Sequence, residues 1–560
     1  MRGTVFLALF TVVYSICHLA NAADWPQWRY DTGRGAVTPH ALPEMLHLQW
    51  TRQLPSASQA WPATQSKLQF DIAPEPVVAG GRLFVPHSTN DSVTAYDTGT
   101  GEELWRFYAG APVRFAPATG KGKVWFVSDD GHLYCLNAAS GKLLWKFNGG
   151  PAERWVLGHG RMVSSWPARG GPVYRDGKVW FTASIWPFMG IFIHCLDAET
   201  GRVLWTNSGI GMNYTVQPHG APSFATVAPQ GHLALAGNHL YVPGGRSIPA
   251  AFDANTGNLS HFEYDKKHGH YRVYAAGDYY FVDGSRYQAS NGKGVESAKP
   301  QLLGTDYVIH QNGEGVTAQK LNGRVETRTK TDRRGKKVKE SKFVADDLWS
   351  AKISSDFGRI FLQAGNRLYT GGKNKLGAFD VATLRGGQSK PAWSAPIKDK
   401  PWTMLAADNR LFVVTEESRL YCFGTNKIDP KHHAPTKTPL PSPDNKVTVR
   451  VAPLLNHLQT QEGHALVLGA DAESLDTLLN NTKLRIVSVD SDPAKVDTLR
   501  RRYEAAGLYG RRISILQYAS PLDFPAPPHF ANLVIVNSTV AANLKPGRVQ
   551  DIYKAVRPYG

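Results

Sequence analysis

Along most of the chain, apolar and polar positions alternate in short runs that predict β-strands, and a fixed punctuation separates the runs. Asp97-Thr98-Gly99-Thr100-Gly101 leads into Leu104-Trp105-Arg106-Phe107, and Asn137-Ala138-Ala139-Ser140-Gly141 into Leu144-Trp145-Lys146-Phe147. Asp197-Ala198-Glu199-Thr200-Gly201 leads in the same way into Leu204-Trp205, and weaker copies start at Asp253 and Ala378. In the strong copies the glycine-to-tryptophan offset is constant: Gly101 to Trp105, Gly141 to Trp145, Gly201 to Trp205. The Asp or Asn hydrogen-bonds its own turn, and the glycine takes the left-handed position of a hairpin. Because strand side chains alternate, the indole lands on a fixed face of the return strand.

A second marker, a glycine-led apolar–aromatic strand, precedes each hairpin. Taking Leu83, Val124, Val179, Leu240, Tyr280, Tyr307, Leu368 and Leu411 as its positions, the steps are blade-sized. Each small sheet has an apolar face that the next must cover, so the pattern predicts a closed β-propeller of four-stranded blades. Eight markers predict eight blades; the short step from Tyr280 to Tyr307 leaves seven open. Strand Leu420–Phe423 has no tryptophan strand after it, while Leu46–Arg52 is a lone alternating strand with no blade of its own. The N-terminal strand is therefore expected to complete the last blade and remove its free edge.

The Asp-x-x-Thr-Gly-x-x-x-Trp pattern and the opening Asp24-Trp25-Pro26-Gln27-Trp28-Arg29 resemble the tryptophan-docking repeats of pyrroloquinoline-quinone (PQQ) propellers. That group includes quinoprotein dehydrogenases and the non-enzymatic outer-membrane assembly factor BamB. The resemblance implies a mainly β chain with a PQQ-like propeller over residues 23–424. In it Trp105, Trp145, Trp205, Gly101, Gly141 and Gly201 would be structural docking residues. It implies two functions: a binding or assembly scaffold for a protein or envelope component, which the scarcity of catalytic residue types favours, and, as the alternative, a PQQ-dependent alcohol or sugar oxidoreductase. The second needs a carboxylate base, oxygen ligands for calcium and a flat floor for the ring. The adjacent cysteine pair found in many such dehydrogenases is not in this sequence. No catalytic or metal-binding residue is assigned.

Residues 425–445 hold five prolines and read as a stiff linker. Beyond it, over 446–560, strands alternate with helices. Ala465–Leu468 ends at Gly469, and Ile486–Val489 ends at Asp490. Asp492 and Pro493 then start a helix that Gly507 ends. This order predicts a parallel, doubly wound α/β domain. It resembles the Rossmann-like core of class I S-adenosylmethionine (SAM) methyltransferases, incomplete at its C-terminal end. By that resemblance Asp490 would hold the ribose hydroxyls, Gly469 would let the backbone approach the methionine moiety, and Asp471 and Ser520 would lie beside the cofactor. Two departures stand out: the glycine turn is Gly469-Ala470-Asp471-Ala472-Glu473, and Ala519-Ser520-Pro521 stands where the family offers an acid to adenine. The expectation is a degenerate module, with an active SAM methyltransferase as the second alternative.

An apolar fraction of 42% against 19% charged residues excludes global disorder. Close to half of the net charge of +17 lies between Lys320 and Lys342, where ten Lys or Arg face three acids. No aromatic residue lies among them, so the stacking platform of nucleic-acid binders is missing and a solvated loop is expected, with an anionic envelope surface as the other contact. Arg2, the apolar run Val5–Val13 and Ala20-Asn21-Ala22 have the parts of a secretory signal cleaved after Ala22, which implies periplasm or cell envelope. No other run is long enough to span a membrane. Cys135, Cys195 and Cys422 recur at one strand position and are expected as buried hydrophobes. His432-His433 lacks metal partners at ligand spacing. The loop Ser184–Gly190 is expected either to project over one mouth of the ring or to plug it. There is no nucleophile elbow, phosphate loop or zinc motif.

Overall fold

The computed structural model describes residues 23–558 apart from 211–213, 217–219, 225, 246, 264–267, 332–334, 436, 443–452, 454, 457 and 459. The expected signal segment, 1–22, lies outside the described residues. Blade 1 runs from its inner strand Val77–Ala79 through Arg82–His87 and Ser92–Asp97 to its outer strand Glu103–Tyr108. Blades 2 to 7 repeat this from inner strands Ala118–Gly120, Gly170–Arg175, Ala234–Ala236, Tyr274–Ala276, Pro300–Leu303 and Arg359–Ala364. Blade 8 begins with Pro401–Ala407, Arg410–Thr415 and Arg419–Gly424, and its fourth strand is His47–Gln53, antiparallel to the third with Thr51 opposite Tyr421. The blade count is therefore eight, and the chain ends lock the ring as the lone N-terminal strand predicted.

Two expectations are corrected. Lys431–His433, inside the expected linker, pairs parallel to Trp50–Arg52 as a fifth strand of blade 8. The basic run is not a loop: Arg324–Thr331 and Lys337–Val344 form a hairpin inserted before the outer strand of blade 6. Its alternation of β-branched and charged residues explains the strands.

The repeated glycines are seats for the indoles of the neighbouring blade. A Cβ on Gly101 would come 2.6 Å from Trp50, on Gly141 2.5 Å from Trp105, on Gly201 2.8 Å from Trp145, and on Gly257 2.4 Å from Trp205. Each ring thus lies on the turn of the next blade, and its N–H donates to a carbonyl there: Trp50 to Thr98, Trp105 to Ala138, Trp145 to Glu199, Trp205 to Ala254, all at 3.0–3.1 Å. After blade 4 the seat is kept but the occupant changes, with His261 over Gly292. Cys135, Cys195 and Cys422 are buried free thiols, as expected.

Inside the ring, residues 23–38 form a strap that touches every blade at the end of its inner strand, which defines the lower rim. The Ala23 carbonyl accepts from Asp408 of blade 8, Trp25 exchanges two bonds with Val78 of blade 1, and Pro26 accepts from Thr119 of blade 2. Gln27 pairs with Tyr174 of blade 3, and the carbonyls of Thr32, Gly33, Gly35 and Ala36 accept from Leu235, Ala275, Leu303 and Gln363 of blades 4 to 7. Arg34, fully buried, donates to the carbonyls of Trp28, Pro172 and Leu233.

The C-terminal domain has a parallel sheet in the order Ile513–Gln517, Arg485–Asp490, His464–Leu468, Leu533–Val536. Helices Ala472–Asn481 and Pro493–Ala505 bury Leu475, Leu478, Val496, Leu499 and Tyr503 on one face. The other face packs on Ala555 of helix Pro546–Ala555 and on Trp155 and Met162, from a propeller hairpin, Trp155–Gly158 and Arg161–Ser164. Arg106, Tyr108 and Asn90 of blade 1 and its loops all donate to Glu504, fixing the domain beside the upper rim. The sheet is parallel and helix-covered as expected; a methyltransferase fold is not established by it.

Candidate functional site

The upper rim, where the inner strands begin, divides into a filled half and an open half. Over blades 1 to 3, Arg114 pairs with Asp71 and Asp129, and Arg169 pairs with Asp129 at 2.9 Å, all four buried. Burial alone would raise the Asp129 pKa, but Arg114 and Arg169 overcome it and hold the carboxyl down at about 2. Asp71, paired with one guanidinium instead of two, is pushed up by burial. Phe70 roofs this side, stacked on Phe115 at 4.8 Å.

Over blades 5 to 8 the funnel holds a cavity of about 380 Å³. The strap supplies Trp28 and Arg29 to it, the starts of inner strands supply Arg272, Tyr274, Arg359 and Trp402, and blade 1 supplies Glu75. Arg29 lies 4.4 Å over the Tyr274 ring, Arg359 4.2 Å over Phe361, and Arg272 5.2 Å over Trp402. Arg29 donates to the carbonyls of Arg34 and Gln301, and Arg359 to that of Trp402. Among the described residues no carboxylate comes within ion-pair distance of these three arginines. Burial lowers the pKa of Arg29, and that of Arg359 to about 10, with the Arg272 charge pressing in the same direction on both. Arg272 moves the other way: burial would lower it, but Tyr271, Tyr274 and the Glu75 charge raise it, so Glu75 is the acid that faces this group of guanidiniums without forming an ion pair. Two buried donors there have no partner, Arg272 Nε and Trp402 Nε1; Trp402 is 7% exposed.

Glu75 is the one acid on the cavity wall without a lysine partner, since Asp283 pairs with Lys67 at 2.8 Å. His232 Nε2 lies 3.1 Å from Glu75, and its Nδ1 is buried without a partner. Burial drops the His232 pKa to about 4, against the pull of Glu75, so the ring is neutral at pH 7 and donates from Nε2. Trp28 stacks on it at 4.1 Å and 8°. The arrangement is a carboxylate fixed by a neutral imidazole, facing aromatic walls and unpaired cations. A planar ligand with several carboxylates fits this donor set. The set is poor in carboxylates for calcium: Glu75 is tied to His232 and Asp283 to Lys67, and among the described residues no group of three or more His, Cys, Asp or Glu is placed to hold a metal ion.

None of these funnel residues was singled out by the repeats, which mark the outer strands. The indoles Trp105, Trp145 and Trp205 lie at blade boundaries, away from the cavity. Loop Ser184–Gly190 tops blade 3, with Trp186 45% and Phe188 54% exposed and Trp186 edge-on to Trp61 at 6.4 Å, so it projects instead of plugging. In the C-terminal domain Gly469 has φ 85°, and a Cβ there would meet Val540 at 2.7 Å and Asn537 at 2.8 Å. Asp490 accepts from the Ala470 and Asp492 amides and from Lys495, which outweighs burial and lowers its pKa. Asp471 caps the following helix through the Ser474 amide, and Ser520 caps the turn at Leu522. The four residues expected to bind SAM thus all have structural bonds or contacts of their own.

An eight-bladed ring with each strong indole seated on the next blade's glycine is a PQQ-type propeller. The chain belongs to the family described as outer membrane protein assembly factor BamB, whose pattern matches residues 47–165 and 151–427. The quinone alcohol dehydrogenase subunit of Gluconobacter oxydans (strain 621H) is 33% identical over 143 residues, 23% of this chain and 18% of that protein. The polyvinylalcohol dehydrogenase of Sphingopyxis sp. (strain 113P3) is 25% identical over 260 residues, 41% of this chain and 33% of its own. The match therefore spans no more than a third of either relative. Among solved structures, the quinohemoprotein alcohol dehydrogenase from Comamonas testosteroni superposes with a TM-score of 0.44 at 16% identity, covering 95% of this chain and 93% of that one. BamB from Moraxella catarrhalis gives 0.31 at 15%, covering 69% and 99%. Among the described residues no helix is long and apolar enough to cross a membrane.

Proposed function

We propose that the protein is an exported quinoprotein-type oxidoreductase whose funnel takes a planar polycarboxylate quinone of the PQQ kind. The observation that carries this is the meeting, in one cavity, of aromatic walls, Arg29, Arg272 and Arg359 without ion-pair partners, and the Glu75 carboxylate held by His232. The quinone alcohol dehydrogenase subunit and the polyvinylalcohol dehydrogenase that match parts of the chain support the same reading. Arg29, Arg272 and Arg359 would hold the carboxylates of PQQ, and Tyr274, Phe361 and Trp402 its ring; bound PQQ would supply the two-electron acceptor. Glu75, oriented by the His232 N–H, is the group placed to accept a proton from an alcohol hydroxyl. Purified protein should reduce an artificial dye with short alcohols only after PQQ is added, and Glu75→Gln should keep PQQ binding while losing turnover. A flat PQQ titration would remove this reading.

A scaffold role is the second reading, supported by the exposed Trp186 and Phe188 on the upper rim. A Trp186→Ser, Phe188→Ser variant would then lose a bound envelope protein yet retain PQQ binding. The SAM expectation rests on sequence resemblance alone; calorimetry with SAM on the wild type and on Asp490→Ala tests it.

A further inference from the structure

We propose that the funnel binds its polycarboxylate ligand without a metal ion, the guanidiniums of Arg29, Arg272 and Arg359 supplying the positive charge. The proposal rests on the funnel reading above for the ligand's identity, and on the donor set for the rest.

A metal-assisted anion site needs hard oxygen donors converging on one point, and a calcium ion takes six or more. The cavity wall has two carboxylates, and both are engaged: His232 occupies one oxygen of Glu75, and Asp283 pairs with Lys67. What converges instead is positive. Arg29 is bent into place by carbonyl bonds at Arg34 and Gln301, Arg359 by the Trp402 carbonyl, and Arg272 by stacking between Tyr271, at 4.9 Å, and Trp402. These anchors leave each guanidinium with further N–H donors, and planar donor forks match carboxylate geometry. Holding three like charges together in a site with few acids is unfavourable unless an anion joins them, and the partnerless Nε of Arg272 and Nε1 of Trp402 mark where its oxygens would go. Adding a divalent cation would bring more positive charge into a space that already has too much.

The test is isothermal titration of the full-length protein with PQQ and, separately, with citrate, a tricarboxylate without a quinone, each in EGTA and in millimolar calcium. The expected result is PQQ binding of equal affinity in both buffers. It should weaken by about tenfold or more in Arg272→Met and in Arg359→Met, the size set by losing charge-assisted bonds. Unchanged circular dichroism and tryptophan emission would show that these variants fold. If a variant does not fold, Trp402→Phe, which removes only the free indole donor, should still weaken binding. PQQ binding that requires calcium overturns the metal-free site and leaves the quinoprotein reading standing. Citrate binding without PQQ binding, sensitive to the same arginines, keeps the metal-free site and removes the quinone. Binding of neither ligand in either buffer overturns both.

Discussion

Blade 8 and blades 1 to 3 repeat one solution to the problem of wedging sheets into a ring, and blades 4 to 7 depart from it. In that series each outer strand carries an indole that sits on the next glycine turn, and the upper funnel over blades 1 to 3 is filled by the Arg114–Asp129–Arg169 lattice. At the seam between blades 4 and 5 the indole gives way to His261, a hairpin is inserted in blade 6, and the funnel over blades 5 to 8 opens into a cavity lined by arginines without ion-pair partners. Regular sequence marks the mortar, whereas the arginines without ion-pair partners collect where the repeat decays. That division is what a consistent fold with a locally inconsistent functional site looks like.

The comparison breaks first at the seam. Trp50, 1% exposed, is the indole that joins the N-terminal strand of blade 8 to blade 1. Trp50→Ala should lower the unfolding free energy by about 3–5 kcal/mol in urea titrations, the range for large aromatic truncations. Trp205→Ala, at a half-buried indole before the irregular half, should cost less, roughly 1–3 kcal/mol. Equal costs would mean that the seam has no special role.

The ionic lattice over blades 1 to 3 carries the next largest expected effect. Asp129→Ala strands the buried Arg169 and leaves Arg114 with Asp71 alone, and should cost about 3 kcal/mol or more. The sign with pH follows from the depressed carboxyl. With a folded value of about 2 against about 3.9 unfolded, the Asp129 contribution is fully present above pH 5 and is lost as pH falls toward 2. Asp71 works against it, because burial raises its carboxyl. Acid unfolding of wild type should therefore steepen between pH 4 and 2, and Asp129→Asn should flatten that limb. An unchanged limb would place the charge stabilisation elsewhere.

The two domains differ in how far their sequence could be read. The eight blades and the closing strand were legible because hairpin glycines, indoles and strand alternation are local signals. Arg272, Arg359 and Trp402 were not, since they stand where inner strands begin, after connections of unequal length that break any alignment of the repeats. Trp28 and Arg29 were visible as part of an opening motif, but nothing local says that this segment threads the ring and lines the cavity. At Gly469 and Asp490 the element boundaries were right, while the polar groups read as cofactor ligands are hydrogen-bonded within the fold. Gly469→Ala should cost roughly 1–3 kcal/mol, from a positive φ and contacts with Val540 and Asn537. A loss confined to SAM affinity would instead restore the cofactor assignment.

The smallest effect should come from the basic hairpin, and it separates appendage from mortar within blade 6. Arg324, with a side chain 63% exposed, bridges Glu326 at 2.8 Å and Asp346 at 3.6 Å. Exposed pairs of this kind contribute little and are screened by salt, so Arg324→Gln should change stability by less than about 0.5 kcal/mol, and by less still at high ionic strength. Phe343 on the same hairpin is 4% exposed, packs on the Gly323 turn and lies under Arg286 at 4.5 Å. Phe343→Ala should therefore cost several times more than Arg324→Gln in the same urea titration. The charges would then belong to a solvated ribbon and the single aromatic to the ring, so that the boundary between the two runs through one hairpin. If Arg324→Gln proved the costlier, the positive run itself would be holding blade 6 together.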